Sequence, residues 1–328
     1  MQPRRSSPSP TGTRSSGNGV CRSPCPRPAS GALMHETQGS VESFDGTALA
    51  THHLGDTTSP PLVLVPAVGS NLAPWRRMIP RLLEQRHLVT WDLRGLHASG
   101  PPATDHRDAG ASAEDAVAVM DDAGIDAAPV IAWSTGGRIA IELAHRYPER
   151  VTSLILVCGM NGYPLSRLLR NFDLPVVLPT LAGIGKHFPV LFGKALDGLS
   201  ARPELAGIVR QSGLLAPTAD VAAFVDMLKG TAECDPKAFL TAYEMIAGDP
   251  SPEALEGIEA PTMLILGSRD RFTSRGLSEQ IASALPGSVI HEYEGATHFL
   301  PLEFPARLAG DITAFLATLP SPTAQEAP

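Results

Sequence analysis

The stretch "VIAWSTGG", residues 130–137, runs from an apolar segment into Ser134 and then directly into two glycines. A short apolar run predicts a buried strand, and "GRIAIELAHRY" after it has the apolar spacing of a helix. Ser134 therefore lies where a strand turns into a helix, a place that exposes a side chain beside free helix N-terminal amides. So tight a turn requires small residues two before and two after the serine, and these are Ala132 and Gly136.

Strand and helix patterns alternate on both sides of this turn. "SVESFDGTALATHHLG" predicts a hairpin that turns at Asp45–Gly46. Helices are predicted at 75–85, 112–124, 137–147, 274–285 and 304–319, the second with Ser112 as N-cap and Gly124 as stop. A continuous apolar run predicts a strand buried on both faces at 62–67, and further strands are predicted at 87–92, 129–133, 151–158, 262–267 and 288–293. This alternation predicts an α/β protein with a mostly parallel, doubly wound central sheet flanked by helices.

The alternation is interrupted once, between about residues 159 and 248, where the chain is apolar, proline-rich and helical in pattern. The first residues are rich in Ser, Pro, Gly and Arg and bury too little apolar surface to fold. Met34 opens the first segment with an ordered pattern, and we expect the natural start there. The predicted organisation is a disordered tail 1–33, a first core part 34–159, a helical cap 160–248, a second core part 249–319 and a flexible end 320–328.

The composition excludes several classes of partner. The net charge is −8, and no basic block exceeds two adjacent arginines, which argues against nucleic acid and anionic membranes. No run of 18 apolar residues exists, so no membrane span is predicted. Two of the four cysteines lie in the tail and two, Cys158 and Cys234, stand alone in the body. This pattern is neither a disulfide framework nor a zinc-ligand set, and it favours a reducing, cytoplasmic location.

Around Ser134 the chain resembles the α/β-hydrolase superfamily, whose nucleophile turn reads Gly-x-Ser-x-Gly, with Ala132 in place of the first glycine. The resemblance implies an α/β-hydrolase fold with the helical cap inserted after strand 6, and a catalytic triad in the order serine, acid, histidine. Asp270 lies three residues past "LILG", and His298 lies in the loop after "SVIHEY". Taken singly, the serine also fits a helix N-cap, Asp270 a turn and His298 a helix cap or a surface residue. Three matches in order, each at a strand end, favour the triad.

The resemblance also implies an oxyanion hole. Its first donor is the backbone N–H of Thr135, and position assigns the second to Val68 in "PAVGSN", where many relatives read His-Gly-x-Gly. A plain glycine turn is the alternative for that loop. Trp133 and Gly69 are assigned to the pocket lining, with packing as the alternative role of Trp133.

Other polar residues receive supporting roles. Asp92 in "WDLRG" is assigned to loop hydrogen bonding, and Glu303 is expected to support the start of the last helix. His97 and His291 are weaker candidates for the catalytic base, because they lie in another loop and inside a strand.

The resemblance implies acyl transfer, in which Ser134 attacks a carbonyl and water activated through His298 hydrolyses the acyl-enzyme. No metal or organic cofactor is required. The apolar cap residues suggest a small-molecule substrate, a small to medium apolar ester or a lactone. Packing of the cap against the body is the alternative role of these residues. A serine at the turn excludes the branch that uses an aspartate nucleophile. A cofactor-free perhydrolase, a C–C hydrolase, an acyltransferase and a catalytically silent small-molecule receptor stay open as alternatives.

Overall fold

The computed structural model describes residues 36–106, 108–162, 211, 213–248 and 251–320. The predicted tail 1–33, residues 163–210 of the predicted cap and residues 321–328 lie outside this part of the chain. Within it, eight strands form one sheet in the order β1-β2-β4-β3-β5-β6-β7-β8. They are β1 Glu36–Glu42, β2 Ala48–Leu54, β3 Pro61–Val65, β4 His87–Trp91, β5 Ala128–Trp133, β6 Val151–Val157, β7 Thr262–Gly267 and β8 Val289–Tyr293.

The sheet is mostly parallel, as the sequence predicts. β1 pairs antiparallel with β2, and β2 pairs antiparallel with β4. The other neighbouring strands pair in parallel. A parallel sheet needs a crossover after each strand, so the carboxyl ends of its strands meet at one edge.

The core lies on both faces of this sheet. In β3, Leu62 and Leu64 pack into one apolar cluster, while Val63 and Val65 pack into the other. Because successive side chains of a strand point to opposite faces, a run of four buried aliphatic residues requires cover on both sides.

Helices supply that cover. Among the described residues they are α1 Ile79–Leu82, α2 Ala109–Asp122, α3 Gly136–Arg146, α4 Val221–Glu233, α5 Pro236–Ala247, α6 Arg275–Ala284, α7 Leu300–Glu303 and α8 Pro305–Ala317. α4 and α5 follow β6 and precede β7 in the chain. None of these helices combines the length and the apolar character that crossing a membrane requires.

Two helix predictions are wrong in detail. The helix predicted at 75–85 is a 3-10 turn at Ala73–Trp75 followed by the short α1, because Pro80 lacks a backbone donor and fits only the first turn of a helix. The N-cap of α2 is Asp108 instead of Ser112. The Asp108 carboxylate accepts from the Ala111 N–H at 2.8 Å, so the helix begins earlier than the serine suggests.

The middle and the end of α4 are held against the loop after β3 and the turn that follows it. The Thr231 hydroxyl donates to the Gly69 carbonyl at 2.8 Å, and Arg76 pairs with Asp226 at 2.8 Å. These contacts join a helix from the second half of the chain to the carboxyl edge of the sheet, where Ser134 lies.

Candidate active site

Ser134 occupies a strained turn between β5 and α3. Its φ is 56°, a left-handed conformation that is uncommon for a residue other than glycine. A Cβ at Gly136 would lie 2.9 Å from the Pro66 carbonyl oxygen, so only glycine allows α3 to approach the loop after β3 this closely. Ala132, two residues before the serine, is fully buried in β5.

His298 lies between Ser134 and Asp270. Its Nε2 is 2.8 Å from the Ser134 Oγ, and its Nδ1 is 2.9 Å from the Asp270 Oδ2. An ionised carboxylate only accepts hydrogen bonds, so Nδ1 carries the proton and Nε2 is left as the acceptor for the serine hydroxyl. The chain thus brings together residues that follow β5, β7 and β8.

The Asp270 carboxylate is saturated with donors. Its Oδ1 accepts from the backbone N–H groups of Phe272 at 2.7 Å and Thr273 at 2.9 Å, and its Oδ2 accepts from the Thr273 hydroxyl. Burial alone would raise the pKa of this carboxyl, but the charge and hydrogen bond of His298 and the bonds from Thr273 hold the pKa below its ordinary value. Asp270 is therefore ionised at neutral pH although its side chain is fully buried.

Aromatic rings surround the imidazole of His298. The ring centroids of Phe272, Trp133 and Phe299 lie 4.6, 5.6 and 5.7 Å from that of His298. The Trp133 indole N–H also donates to the His298 carbonyl at 2.9 Å. Trp133 thus fixes the loop that carries the histidine, a role in which its indole nitrogen matters as well as its size.

Glu303 supports the histidine loop instead of the last helix. Its carboxylate accepts from the Thr297 N–H at 2.7 Å, the Thr297 hydroxyl at 2.5 Å and the Ala216 N–H at 2.8 Å. α8 begins at Pro305, with Phe304 as its N-cap. The expected role was wrong because the loop before His298 leaves buried donors that need an acceptor nearby. The one sequence signal for the observed role was the presence of an acidic residue five positions after the histidine.

The two amides assigned to the oxyanion hole differ in their bonding. The Thr135 N–H, at the N-terminus of α3, donates to no other described residue. The Val68 N–H donates to the Thr135 hydroxyl at 2.8 Å. Gly69 turns the chain with a φ of 71°, and a Cβ there would lie 2.4 Å from the Phe239 ring of α5.

The remaining sequence candidates lie apart from Ser134. Asp92 accepts from the Ala98 N–H at 3.0 Å, a loop hydrogen bond of the expected kind. The His97 ring lies 3.7 Å from the Cys234 Sγ, and the ring of His291 on β8 is 43% exposed. Within the described part of the chain, neither histidine contacts the serine.

Three residues of metal-ligating types lie close together in the site. One ligand atom from each of Cys158, Asp270 and His298 falls within 4.8 Å of the others. Burial, together with the nearby Asp270 charge, raises the pKa of the Cys158 thiol well above its ordinary range, so it stays protonated. Because the carboxylate and the imidazole already bond each other, these residues do not fit a cation.

The sequence profile of the alpha/beta hydrolase fold matches residues 60–305. The chain belongs to the α/β-hydrolase family. This α/β hydrolase is 24% identical over 261 residues to the putative carbamate hydrolase RutD of Caulobacter sp. (strain K31), which covers 78% of this chain and 90% of RutD.

Two further proteins resemble this α/β hydrolase. The pimeloyl-[acyl-carrier protein] methyl ester esterase of Neisseria meningitidis serogroup A is 28% identical over 243 residues, 72% of this chain and 70% of the esterase. The crystal structure of esterase RhEst1 from Rhodococcus sp. ECU1013 has a TM-score of 0.70 at 20% identity and covers 86% of this chain and 99% of RhEst1. Family membership makes the protein a hydrolase, an enzyme that acts on a small-molecule substrate.

Proposed function

We propose that this hydrolase cleaves a carboxylic ester, a small to medium apolar ester or a lactone, with Ser134 as nucleophile, His298 as base and Asp270 as the orienting acid. The observation that carries the proposal is the continuous contact from the Asp270 carboxylate through both imidazole nitrogens to the Ser134 hydroxyl, at 2.9 and 2.8 Å. The named activities of the two curated relatives, a methyl ester esterase and a putative carbamate hydrolase, also concern a carbonyl bound to a heteroatom.

In the proposed reaction, Ser134 Oγ forms a bond to the substrate carbonyl carbon while its proton passes to His298 Nε2. The carbonyl oxygen becomes an oxyanion that Thr135 and Val68 stabilise. The imidazolium, held by Asp270, returns the proton to the departing alcohol oxygen as the ester bond breaks, which leaves an acyl-enzyme. Water then gives one proton to His298 and its oxygen to the acyl carbon, and the proton returns to Ser134 as the acid leaves.

The apolar substrate is inferred from the surroundings of the imidazole. Phe272 and Phe299 contact the His298 ring, and Phe224 of α4 packs on Phe299 with ring centroids 5.0 Å apart. We assign residues 160–248, which include α4 and α5, to the cap, with Trp133 and Gly69 beside the pocket. The cytoplasmic location stays a prediction.

Hydrolysis of p-nitrophenyl esters from acetate to palmitate tests the proposal when it is measured for the wild type, Ser134→Ala and Ser153→Ala. Ser153 is a buried serine of β6 and serves as the matched control. We expect Ser134→Ala to lower kcat by at least about 10⁴-fold, since removal of the catalytic serine alone lowers kcat by roughly 10⁶-fold in a well-studied protease. Ser153→Ala should keep the wild-type profile of acyl lengths.

A fluorophosphonate probe supplies the second measurement. We expect the wild type and Ser153→Ala to gain the mass of one phosphonyl group and Ser134→Ala to gain none. Labelling of Ser134→Ala at the wild-type rate would contradict the proposed nucleophile. A wild type that labels but hydrolyses none of the esters would instead direct attention to lactones, peracid formation, C–C cleavage or acyl transfer on the same residues.

A further inference from the structure

The Thr135 hydroxyl is the hydrogen-bond acceptor of the Val68 amide, the amide that position assigns to the oxyanion hole. The Val68 N–H donates to the Thr135 Oγ1 at 2.8 Å, and Thr135 as a whole is 3% exposed. An N–H that is already engaged by a hydroxyl does not face the substrate oxygen directly. The second oxyanion donor therefore needs a different account from the one that position alone suggests.

The same hydroxyl has one proton left to donate. Thr135 is the N-cap of α3, yet its side chain makes no capping bond to the helix amides. Among the described residues, the hydroxyl accepts from Val68 and donates to none. A buried donor without an acceptor costs about 1 to 3 kcal/mol, so an acceptor that forms only during the reaction would recover that cost.

We propose that the Thr135 hydroxyl is the second oxyanion donor and that Val68 acts through it, an inference that rests on the proposed serine hydrolase reaction. The oxyanion receives two hydrogen bonds from one residue, one from the Thr135 N–H and one from its O–H. No proton is transferred in this step, because the N–H and O–H protons both stay bonded to Thr135. The bond is made only once negative charge has developed on the substrate oxygen, which is the condition for lowering the barrier instead of tightening ground-state binding.

The Val68 amide gives this hydroxyl both its direction and its strength. A lone pair of the oxygen faces Val68, so the O–H proton points elsewhere. Threonine is branched at Cβ and has few χ1 rotamers, and the bond to Val68 selects one of them. A hydroxyl that accepts a hydrogen bond is also a better donor, since linked hydrogen bonds polarise one another.

The opposite role for this hydroxyl is to block the oxyanion site, which we call the plug. In that role, the hydroxyl would have to rotate away from the Val68 N–H before this amide could bind the oxyanion. The two roles predict effects of opposite sign when the hydroxyl is removed. A donor makes its removal costly to kcat, whereas a plug makes its removal neutral or favourable.

Steady-state kinetics on the p-nitrophenyl ester that the wild type prefers would decide between these roles. Thr135→Val keeps the shape and removes the hydroxyl, and Thr135→Ser keeps the hydroxyl and removes the methyl group. We expect Thr135→Val to lower kcat by about 10²- to 10³-fold with KM changed by less than about threefold, as for loss of one oxyanion donor. We expect Thr135→Ser to stay within about fivefold of the wild type, given the extra rotamer freedom of serine.

A Thr135→Val enzyme with a kcat equal to or above the wild-type value, beside an inactive Ser134→Ala, would overturn the hydroxyl donor and leave the serine reaction standing. A Ser134→Ala enzyme that keeps its activity would overturn both proposals. If Thr135→Val fails to fold, Thr135→Ala takes its place, with the same fall in kcat expected and the same contrary result.

Discussion

The cluster around Arg94 and the cluster around Ser134 are both buried and both contain carboxylates. They differ in whether the hydrogen bonds of the cluster are all made within the protein. Arg94 donates to Asp115 through Nε at 2.8 Å and Nη2 at 2.6 Å, and to Asp45 through Nη1 at 3.0 Å. Its Nη1 also donates to the His106 carbonyl at 2.7 Å. Every charge in this cluster has a counter-charge within the protein.

The cluster around Ser134 is closed at one end only. Asp270 takes bonds from the Phe272 and Thr273 backbone as well as from His298. At the other end the Ser134 hydroxyl forms a hydrogen bond with His298 and, among the described residues, with no further side chain. We call the Arg94 cluster closed, because its charged groups are paired with one another, and such a network stabilises the fold. We call the Ser134 cluster open, because its terminal hydroxyl can pass a proton to His298 when it reacts with a ligand.

Asp270→Asn should give the largest effect, since it converts the charged end of the open cluster into a neutral amide. We expect kcat on the preferred ester to fall about 10⁴-fold, because the amide favours the wrong imidazole tautomer and no longer stabilises the imidazolium. Asp122→Asn, at an exposed site on α2, is the matched control and should keep full activity. A loss below about tenfold in Asp270→Asn would place the acid elsewhere.

Arg94→Met tests the closed cluster, where stability instead of rate should change. Removal of the guanidinium leaves Asp45 and Asp115 buried without their cation, which we expect to cost about 3 to 5 kcal/mol in free energy of unfolding. Arg275→Met removes an arginine that is 59% exposed and should leave the free energy of unfolding almost unchanged. Urea denaturation measures both; equal costs would remove the distinction between buried and exposed pairs. The folded Arg94→Met fraction should keep a kcat close to that of the wild type.

A third charged group extends the comparison to pH. His52 lies 3.5 Å from both Glu36 and Asp92; burial opposes its charge, but these carboxylates outweigh burial and raise its pKa to about 9 from 6.5. A raised folded-state pKa stabilises the protein fully below pH 6.5 and loses this effect as pH rises through 9. We expect the wild type to exceed His52→Gln in free energy of unfolding by about 1 to 3 kcal/mol at pH 6 and by almost nothing at pH 10. A difference that is constant over this range would show that the His52 charge contributes nothing.

Trp133→Phe should give the smallest effect and tests how tightly the open cluster is positioned. The substitution keeps an aromatic ring beside His298 and removes the 2.9 Å bond to its carbonyl. One neutral hydrogen bond contributes about 1 kcal/mol, so we expect kcat to fall by roughly threefold to tenfold while KM changes little. If kcat is unchanged and only the melting temperature falls, Trp133 packs the loop without positioning the imidazole.

Much of the fold was predictable from local pattern. The apolar runs of β3 through β7, the hairpin at Asp45–Gly46 and the alternation of strands with helices can each be recognised from neighbouring residues. The predicted α/β-hydrolase fold is confirmed. The errors lie where distant chemistry competes with local pattern. Asp108 replaced Ser112 as N-cap because a carboxylate was available one turn earlier, and Glu303 bonds Thr297 because that loop left buried donors.

The residue order of the candidate site was also readable, because in a parallel sheet the strand ends meet at one edge. Ser134, Asp270 and His298 each follow a strand, and the resemblance to the α/β-hydrolase superfamily predicted that they would lie near one another. Their hydrogen-bond partners were not readable from the sequence.

The sequence by itself determined which strands the candidate residues follow along the chain, the glycines that the turn at Ser134 requires and the family to which the chain belongs. Only the tertiary structure decided that the Val68 amide bonds the Thr135 hydroxyl, that Trp133 bonds the His298 carbonyl and that Arg94 joins Asp45 to Asp115. The physical reason is range. Periodicity and turn chemistry act over a few residues, whereas each of these bonds joins groups 21 to 165 residues apart, and their geometry exists only after the sheet has assembled.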